Sequence, residues 1–372
     1  MRWNSGMCCC LVVACLFGSQ PKATVPVATE RQLTEFSNDD GTQPNGSEPA
    51  RDDSSALQKA LNAGPGIVRI GPGTHRIQAV TIPENVTVIG AGPATVLQAF
   101  DGRPAFLQQN AAAWRLRDLS IQGEATGEWQ KRTDRTSHGM VIEGCWGYEI
   151  SGVTIRNCDG AGLQITRTNN QASGFTDGGM LTRITARDNF IGIRFDTRAE
   201  YITASHLHCH HNVTGLMIHA GNTNIASSNI GENIDGLVIF VVAGIRVHSL
   251  SSNIGENIDG LVIADHENGS HGSVTGCLVN HNQRYALWAK HVDNGMAISN
   301  CCFFYGTVRL ENSCGVNITS GLISASIATE GPGFNRLSGN HIIPLTWTFE
   351  IAPSTLLEGN FTKTGPWEYN RP

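Results

Sequence analysis

One stretch of thirteen residues occurs twice in this chain. Residues 227–239 read SSNIGENIDGLVI, and the same letters return at residues 251–263, an offset of 24 positions. A period of 20–50 residues is typical of solenoids, propellers and repeat arrays, in which each copy stacks on the next. With 42 glycines and only 16% charged residues, the composition favours β-structure with many turns over a helical bundle or a disordered chain.

The repeat continues, with variation, along most of the chain. Short apolar segments follow an anchor residue that recurs every 21 to 30 positions, at Gly139, Gly162, Gly192, Gly215, Gly236, Gly260, Tyr285 and Thr307. Because side chains alternate across a strand, the first and third residues after each anchor should point inward and stack from rung to rung. A further file contains Cys209 and Cys301, which we expect to be inert core residues. The pattern predicts an all-β, single-stranded parallel β-helix.

An asparagine lies three residues before five of these anchors, at Asn189, Asn212, Asn233, Asn257 and Asn282. Asparagine tolerates left-handed backbone and hydrogen-bonds within its own turn. Stacked in successive rungs, the five amides should form a ladder. We therefore assign them a structural role in preference to sugar binding.

The segment before the rungs carries a family resemblance. Residues 52–61 read DDSSALQKAL and predict a short amphipathic helix, followed by GIVRIGPGTHRI at 66–77 and IPENVTVIGAG at 82–92. This order resembles the N-terminal cap of the pectate-lyase-like superfamily. The resemblance implies a right-handed β-helix, here of about ten rungs within residues 51–372, with the helix covering its open end. The superfamily includes lyases, hydrolases, epimerases and non-catalytic proteins, so the cap does not define a reaction.

The first residues predict export. Arg2 precedes an apolar run at residues 7–17, which is too short to cross a bilayer and suits a signal peptide at residues 1–23. The letters LVVAC ending at Cys15 resemble a bacterial lipobox, so lipid anchoring and plain cleavage are both open. Residues 24–50 read as a linker. The expected location is secreted, periplasmic or at the cell surface, and the net charge of −6 disfavours nucleic acid as a partner.

One outward-facing file is unusually apolar. It is predicted to contain Met217, Val238, Val262 and Leu287. A solvated sheet face is normally polar, so this strip predicts a cover. Self-association, for instance as a trimer, is one expectation; packing of the linker or of the C-terminal tail is the other.

Charged residues in the loops that follow the anchored strands suggest chemistry on a polysaccharide. The candidate catalytic residues are Asp196, Arg198, His219, Asp265, His266 and Lys290, and the candidate substrate-binding residues are Arg167, Glu200, His248, His291 and Trp129. A uronate lyase needs a base and a cation that neutralises the carboxylate. Asp196, Asp265 or Glu267 could bind Ca²⁺ in that role. We expect a lyase, with a hydrolase or a non-catalytic glycan-binding protein as alternatives.

One observation limits this assignment. The sequence motifs of polygalacturonases, pectate lyases and alginate epimerases are absent, so no catalytic residue can be transferred from them.

The loop at residues 122–138 interrupts an early rung and carries several charges, including Asp134, Arg135 and His138. Long loops on a solenoid often shape a groove.

A run of histidines suggests metal binding. His206, His208 and His210 alternate along one predicted strand and are followed by His211. Because no carboxylate accompanies them in the sequence, we assign no metal site here.

Overall fold

The chain winds into a right-handed parallel β-helix of about 12 turns. The computed structural model describes residues 29–38, 44, 51–167, 174–196, 198–219, 221–240, 246–266, 271–343 and 347–367. The predicted fold class is confirmed, with somewhat more turns than the expected ten. The predicted export signal lies outside the described residues.

Each full turn contributes strands to three parallel sheets. The first sheet contains, in whole or in part, Glu30–Gln32, Gly66–Arg69, Val86–Ile89, Arg115–Gln122, Glu149–Arg156, Met180–Thr182, Ile202–Ser205, Thr223–Ala226, Arg246–Leu250, His271–Thr275, Tyr285–Ser299, Cys314–Thr319, Arg336–Ser338 and Leu356–Glu358. The second contains Gly73–Arg76, Thr95–Gln98, Arg115–Gln122, Glu149–Arg156, Thr185–Arg187, His208–His210, Asn229–Gly231, Asn253–Gly255, Leu278–Asn280, Cys302–Glu311, Leu322–Glu330, His341–Ile342 and Phe361–Thr362.

The third sheet carries the anchored strands. It contains Phe106–Gln109, Met140–Glu143, Ala161–Thr166, Ile191–Phe195, Thr214–Ile218, Asp235–Phe240, Asp259–His266, Tyr285–Ser299, Cys302–Glu311, Leu322–Glu330 and Phe349–Ile351. Outside these sheets, Thr176–Asp177 pairs with Ala199–Glu200, and Gly365–Pro366 runs antiparallel to Phe361–Thr362. The described helices are the α-helix Ser54–Asn62 and the 3₁₀ helices Leu33–Glu35, Gly92–Ala94 and Trp129–Lys131.

The core consists of apolar files that run along the helix axis. In one such file each residue pairs with its counterpart on the next rung and is fully buried. The file consists of Leu163, Ile193, Leu216, Leu237 and Leu261. Cys209 lies in a similar file, and burial raises the pKa of its thiol to about 12. A thiol with so high a pKa remains protonated near neutral pH and is a poor nucleophile, as predicted.

One rung is offset from the sequence prediction. Asp259 pairs with Tyr285 and Leu261 with Leu287, so Ala286 takes the position that glycine holds elsewhere. Leu287 is therefore fully buried in the core, and Trp288 takes the outward position beside Val262. The prediction of Leu287 in the outer strip was wrong, because Tyr285 was taken for the anchor.

The corrected outer strip is partly covered by its own neighbours. Val238 and Val262 are only 5% and 8% exposed, and Phe240 and Trp288 pack against them. This packing reduces the apolar area available to a partner. Self-association through the strip stays a prediction.

The asparagine ladder is confirmed. The Nδ2 atom of each amide donates to the Oδ1 atom of the next, at 3.1 Å from Asn189 to Asn212, 3.0 Å to Asn233, 3.1 Å to Asn257 and 3.0 Å to Asn282. All five residues are buried. Since a buried amide without partners is costly, the ladder holds each turn in a fixed position relative to the next.

The N-terminal end is capped as the resemblance implied. Helix Ser54–Asn62 buries Ala56, Leu57, Ala60 and Leu61 against the first rungs. The strand Glu30–Gln32 also pairs with Gly66–Arg69, so this part of the predicted linker belongs to the folded domain. No helix among the described residues is long and apolar enough to cross a membrane.

Candidate active site

The outer face of the third sheet changes character along the helix axis. Strand pairing places Gln164, Arg194, Met217, Val238, Val262, Trp288 and Arg309 in one outward file. Asp196 and His219 directly follow strands Ile191–Phe195 and Thr214–Ile218. The face is thus polar on the earlier rungs, apolar from Met217 to Trp288, and polar again at Arg309. The polar section is where chemistry is most plausible.

The loop at residues 122–138 lies beside this polar section. Its end is held by three hydrogen bonds: the Arg135 amide donates to the Asp159 carbonyl at 3.0 Å, the Gly160 amide to the Ser137 carbonyl at 3.0 Å, and the Ala161 amide to His138 Nδ1 at 2.9 Å. A Cβ atom on Gly160 would lie 2.3 Å from the Arg135 carbonyl oxygen. Glycine is therefore required for this close approach.

A single arginine connects the loop to the sheet. Arg194 Nη2 lies 3.0 Å from Asp196 Oδ2, and Arg194 Nη1 lies 3.7 Å from Asp134 Oδ2. His219 Nδ1 lies 3.4 Å from Asp196 Oδ1. The Asp196 side chain is only 15% exposed and that of His219 38% exposed. Asp196 therefore orients a histidine that remains accessible to a substrate.

His138 supplies a second imidazole in a defined tautomer. Because its Nδ1 accepts the Ala161 amide proton, the neutral ring carries its hydrogen on Nε2. Burial lowers the pKa of His138; the Asp134 carboxylate opposes that shift and Arg194 adds to it. His138 therefore stays neutral at neutral pH, with one N–H available to donate.

These groups border an open cleft of about 190 Å³. Asp134, Arg135, Thr136, His138, Gln164 and Arg194 line it. The Arg135 side chain is 68% exposed, and its Nη1 lies 4.0 Å from Asp159 Oδ2. The cleft lining thus offers one imidazole, one carboxylate and two guanidinium groups. The Asp196–His219 pair adjoins the cleft through the contact between Asp196 and Arg194.

The structure brings two of the predicted catalytic residues together, Asp196 and His219. Arg198 lies in a left-handed turn, with its guanidinium 5.0 Å from the centre of the Phe175 ring. Glu200 accepts a hydrogen bond from Asn222 Nδ2 at 2.6 Å. Arg167 is exposed after strand Ala161–Thr166, on the rung next to Asp196.

Lys290 does not converge on the same point. It lies four rungs beyond Asp196, about 19 Å away at the usual strand spacing, with its Nζ 5.4 Å from the centre of the Trp288 ring. Asp196 and Lys290 cannot contact one sugar unit, contrary to the idea that the loop charges converge. His291 follows in a left-handed turn and is exposed.

Three predicted residues have side chains outside the described part of the structure, namely Asp265, His266 and His248. The backbone of His248 pairs with Asn224 and Ser273 in the first sheet, away from the face that carries Asp196. Glu267 is also not described. Trp129 stacks on His211 with ring centres 5.7 Å apart, a contact that competes with its predicted role in sugar stacking.

The histidine run differs from the sequence expectation in two ways. His206 lies in a left-handed turn before the strand His208–His210, so it does not alternate with His208 and His210. A carboxylate does accompany the run: Glu232, from the next rung, places Oε2 2.7 Å from His211 Nε2. Sequence reasoning missed this neighbour because it is 21 residues away in the chain.

All six residues that line the cleft were absent from the predicted site, namely Asp134, Arg135, Thr136, His138, Gln164 and Arg194. The length and charge of the loop at residues 122–138 were the available signals for the first four. Gln164 and Arg194 were visible as the polar members of the outward file. Whether the loop residues come together with Gln164 and Arg194 depends on the path of the loop, which the sequence alone does not define.

Fold and site together define a class, a right-handed parallel β-helix protein with a loop-bordered cleft on its third sheet. The A-module of mannuronan C-5 epimerase AlgE4 from Azotobacter vinelandii is similar at 12% identity and TM-score 0.61, covering 92% of this chain and 98% of that one.

A GH87 α-1,3-glucanase catalytic unit from Streptomyces thermodiastaticus is similar at 17% identity and TM-score 0.66, covering 94% of this chain and 71% of that one. The tailspike gp49 of Acinetobacter baumannii bacteriophage Fri1, a capsular polysaccharide depolymerase, has 13% identity and TM-score 0.55, covering 90% and 59%. At these identities the similarity shows the fold. No protein-family model and no curated protein matches the chain.

Proposed function

We propose that this protein is an exported polysaccharide lyase that cleaves a uronate-containing glycan by β-elimination. The observation that carries the proposal is the Asp196–His219 pair beside a cleft with two arginines. Similar folds occur in a mannuronan C-5 epimerase module and a capsular polysaccharide depolymerase. A glycan substrate also accords with the export signal predicted at residues 1–23. This holds both for a plain cleaved signal peptide and for a lipid anchor at Cys15.

The pair can act as a general base. With Nδ1–H directed at the Asp196 carboxylate 3.4 Å away, His219 would leave the Nε2 lone pair to remove the proton at C5 of the uronate. This arrangement fixes the tautomer, as a carboxylate beside a catalytic histidine does in other enzymes. The electron pair of the C5–H bond forms the C4–C5 double bond as the glycosidic oxygen departs from C4.

The remaining cleft residues suit the other requirements of the elimination. The exposed guanidinium of Arg135 is placed to neutralise the substrate carboxylate, which makes the C5 proton more acidic. Neutral His138, with its N–H on Nε2, can donate a hydrogen bond that stabilises the departing oxygen, which takes its proton from water. The chain needs such local positive charge because its net charge is −6 and a polyuronate is an anion.

Activity and variants test this assignment. On a panel of uronate-containing polysaccharides we expect absorbance of the unsaturated uronate product. We expect His219→Ala to lower kcat by about 10²–10⁴-fold, the usual contribution of a general base. His281→Ala serves as the matched control, because His281 is an exposed histidine in a turn three rungs away and should leave activity unchanged. Equal loss in both variants would contradict the assignment.

Hydrolysis is the second candidate, because Asp134 and Asp196 both lie within 4.0 Å of Arg194. Glycosidases use two carboxyl groups. New reducing ends without unsaturated product, lost in Asp134→Asn, would support hydrolysis. Both carboxylates are already paired with Arg194, and Asp196 also with His219, so we place hydrolysis second. Binding without products would indicate a glycan-binding protein.

A further inference from the structure

A group of histidines and carboxylates lies on the second sheet, away from the cleft. His208 and His210 share one side of the strand His208–His210, with ring centres 4.5 Å apart. His211 and Glu232 occupy equivalent left-handed turn positions on neighbouring rungs, with φ of 55° and 58°. The ligand atoms of His210, His211 and Glu232 all lie within 4.8 Å of one another.

Two glycines leave space in front of these groups. Gly231 pairs with His210, and Gly255 pairs with Gly231, so neither of the next two rungs projects a side chain there. The resulting cavity of about 80 Å³ is lined by His208, His210, Asn229, Gly231, Glu232, Asn253, Gly255 and Glu256. Asn253 Oδ1 is buried and has no hydrogen-bond partner within the described ranges. The cavity is polar and large enough for water or a small cation.

Surrounding residues orient the imidazoles. Asp188 Oδ1 lies 3.9 Å from His211 Nδ1, the ring nitrogen opposite the one that faces Glu232. Asp188 is in turn paired with Arg187. Carboxylates in this position commonly orient metal-binding histidines and increase their basicity. Trp129 covers the other side of His211.

We propose that His210, His211 and Glu232 bind a divalent transition-metal cation of the zinc class. Two imidazoles and one carboxylate are a donor set that Zn²⁺ accepts, with a fourth position left for water. The carboxylate and the histidines come from different rungs, so the ion would link them. Through Trp129 it would also steady the loop at residues 122–138. This site does not depend on the proposed lyase activity.

Metal titration of the full-length purified chain tests the proposal, after treatment with a chelator. With Co²⁺ as a spectroscopic probe, we expect saturable visible absorption of a low-coordinate site at one ion per chain, and Zn²⁺ should displace it. We expect His210→Ala and Glu232→Gln to weaken Zn²⁺ binding by more than tenfold, and Asp188→Asn by about tenfold, as for other orienting carboxylates.

His281→Ala is the matched control. His281 holds the same left-handed turn position as His211, three rungs further along the helix, and it stacks on Tyr305 with ring centres 4.6 Å apart. The residue before it is Asn280 instead of a second histidine. We expect wild-type affinity. Absence of saturable binding in the wild type, or wild-type affinity in His210→Ala, would overturn the proposal, and circular dichroism spectra would verify that each variant is folded.

Discussion

At the scale of single residues, the duplicated stretch places identical charges side by side. Asp235 pairs with Asp259 in neighbouring strands. Asp259 is 1% exposed and is bound by Arg284, whose Nε lies 2.8 Å from Asp259 Oδ1. Burial, and then the charge of Asp259, raise the pKa of Asp235 from 3.8 to about 6, while Arg284 opposes the shift. The second copy thus carries a cost in electrostatic energy.

This cost has a defined pH dependence. Between about pH 4 and pH 6 the folded chain keeps a proton on Asp235 that the unfolded chain has lost, so stability falls as pH rises through that window. We expect Asp235→Asn to raise Tm at pH 7.5 and to have little effect at pH 4. Thermal unfolding at both pH values measures this. Asp101→Asn, at an exposed left-handed turn, is the control, and an equal gain at both pH values would contradict the explanation.

Sequence patterns predicted some of the site and missed the rest for identifiable reasons. Asp196 and His219 follow anchored strands, so the rung alignment placed them on neighbouring turns correctly. Lys290 also follows an anchored strand, but it lies four rungs beyond Asp196. This distance is too large for the two side chains to share one site. His138 and Asp134 reach the cleft through a loop whose path is fixed by the close approach to Gly160, which no periodicity encodes.

At the scale of structural elements, the asparagine ladder aligns one turn with the next. Asn233 illustrates its role, because its Nδ2 donates to Asn257 Oδ1, to the Cys209 carbonyl at 3.0 Å and to the Gly231 carbonyl at 2.8 Å. Its Oδ1 accepts from both the amide and the side chain of Asn212. The ladder was predictable because its period is that of the coil.

We expect Asn233→Ala to destabilise the fold by about 1–3 kcal/mol, since it leaves buried backbone groups without partners. Urea unfolding followed by circular dichroism measures the change. Asn224→Ala is the control, because Asn224 is exposed on the first sheet and should alter stability by less than about 0.5 kcal/mol. A similar loss in the two variants would show that the ladder is not the cause.

At the scale of the whole molecule, the β-helix behaves as a one-dimensional stack in which each turn contacts its neighbours. The sequence predicted this architecture because the inward files keep their register over many rungs. It could not predict the number of turns, since the C-terminal rungs lose the anchor pattern. Nor did it predict the strand Glu30–Gln32, which is three residues long and lies within a polar segment.

The stacked architecture predicts that one copy of the duplicated stretch can be deleted without preventing the chain from folding. Deleting residues 227–250 joins Ala226 to Ser251, and because residues 251–263 match 227–239, the new contacts with strand Thr214–Ile218 repeat the original ones. We expect a soluble, β-rich protein with cooperative thermal unfolding. Deleting residues 227–249 is the control: a one-residue shift exchanges inward and outward side chains and should prevent folding. Equal outcomes for the two deletions would contradict the stacked model.

The duplicated stretch also affects how the chain folds. Strand Thr214–Ile218 normally receives Asp235–Phe240, but the second copy offers it the same side chains. Closing a loop 24 residues longer adds little entropy cost, so some refolding molecules should pair with the wrong copy first. Those molecules must separate before the native stack can form, which gives a slow kinetic phase. The identity that preserves the native packing therefore also creates a competitor to it during folding.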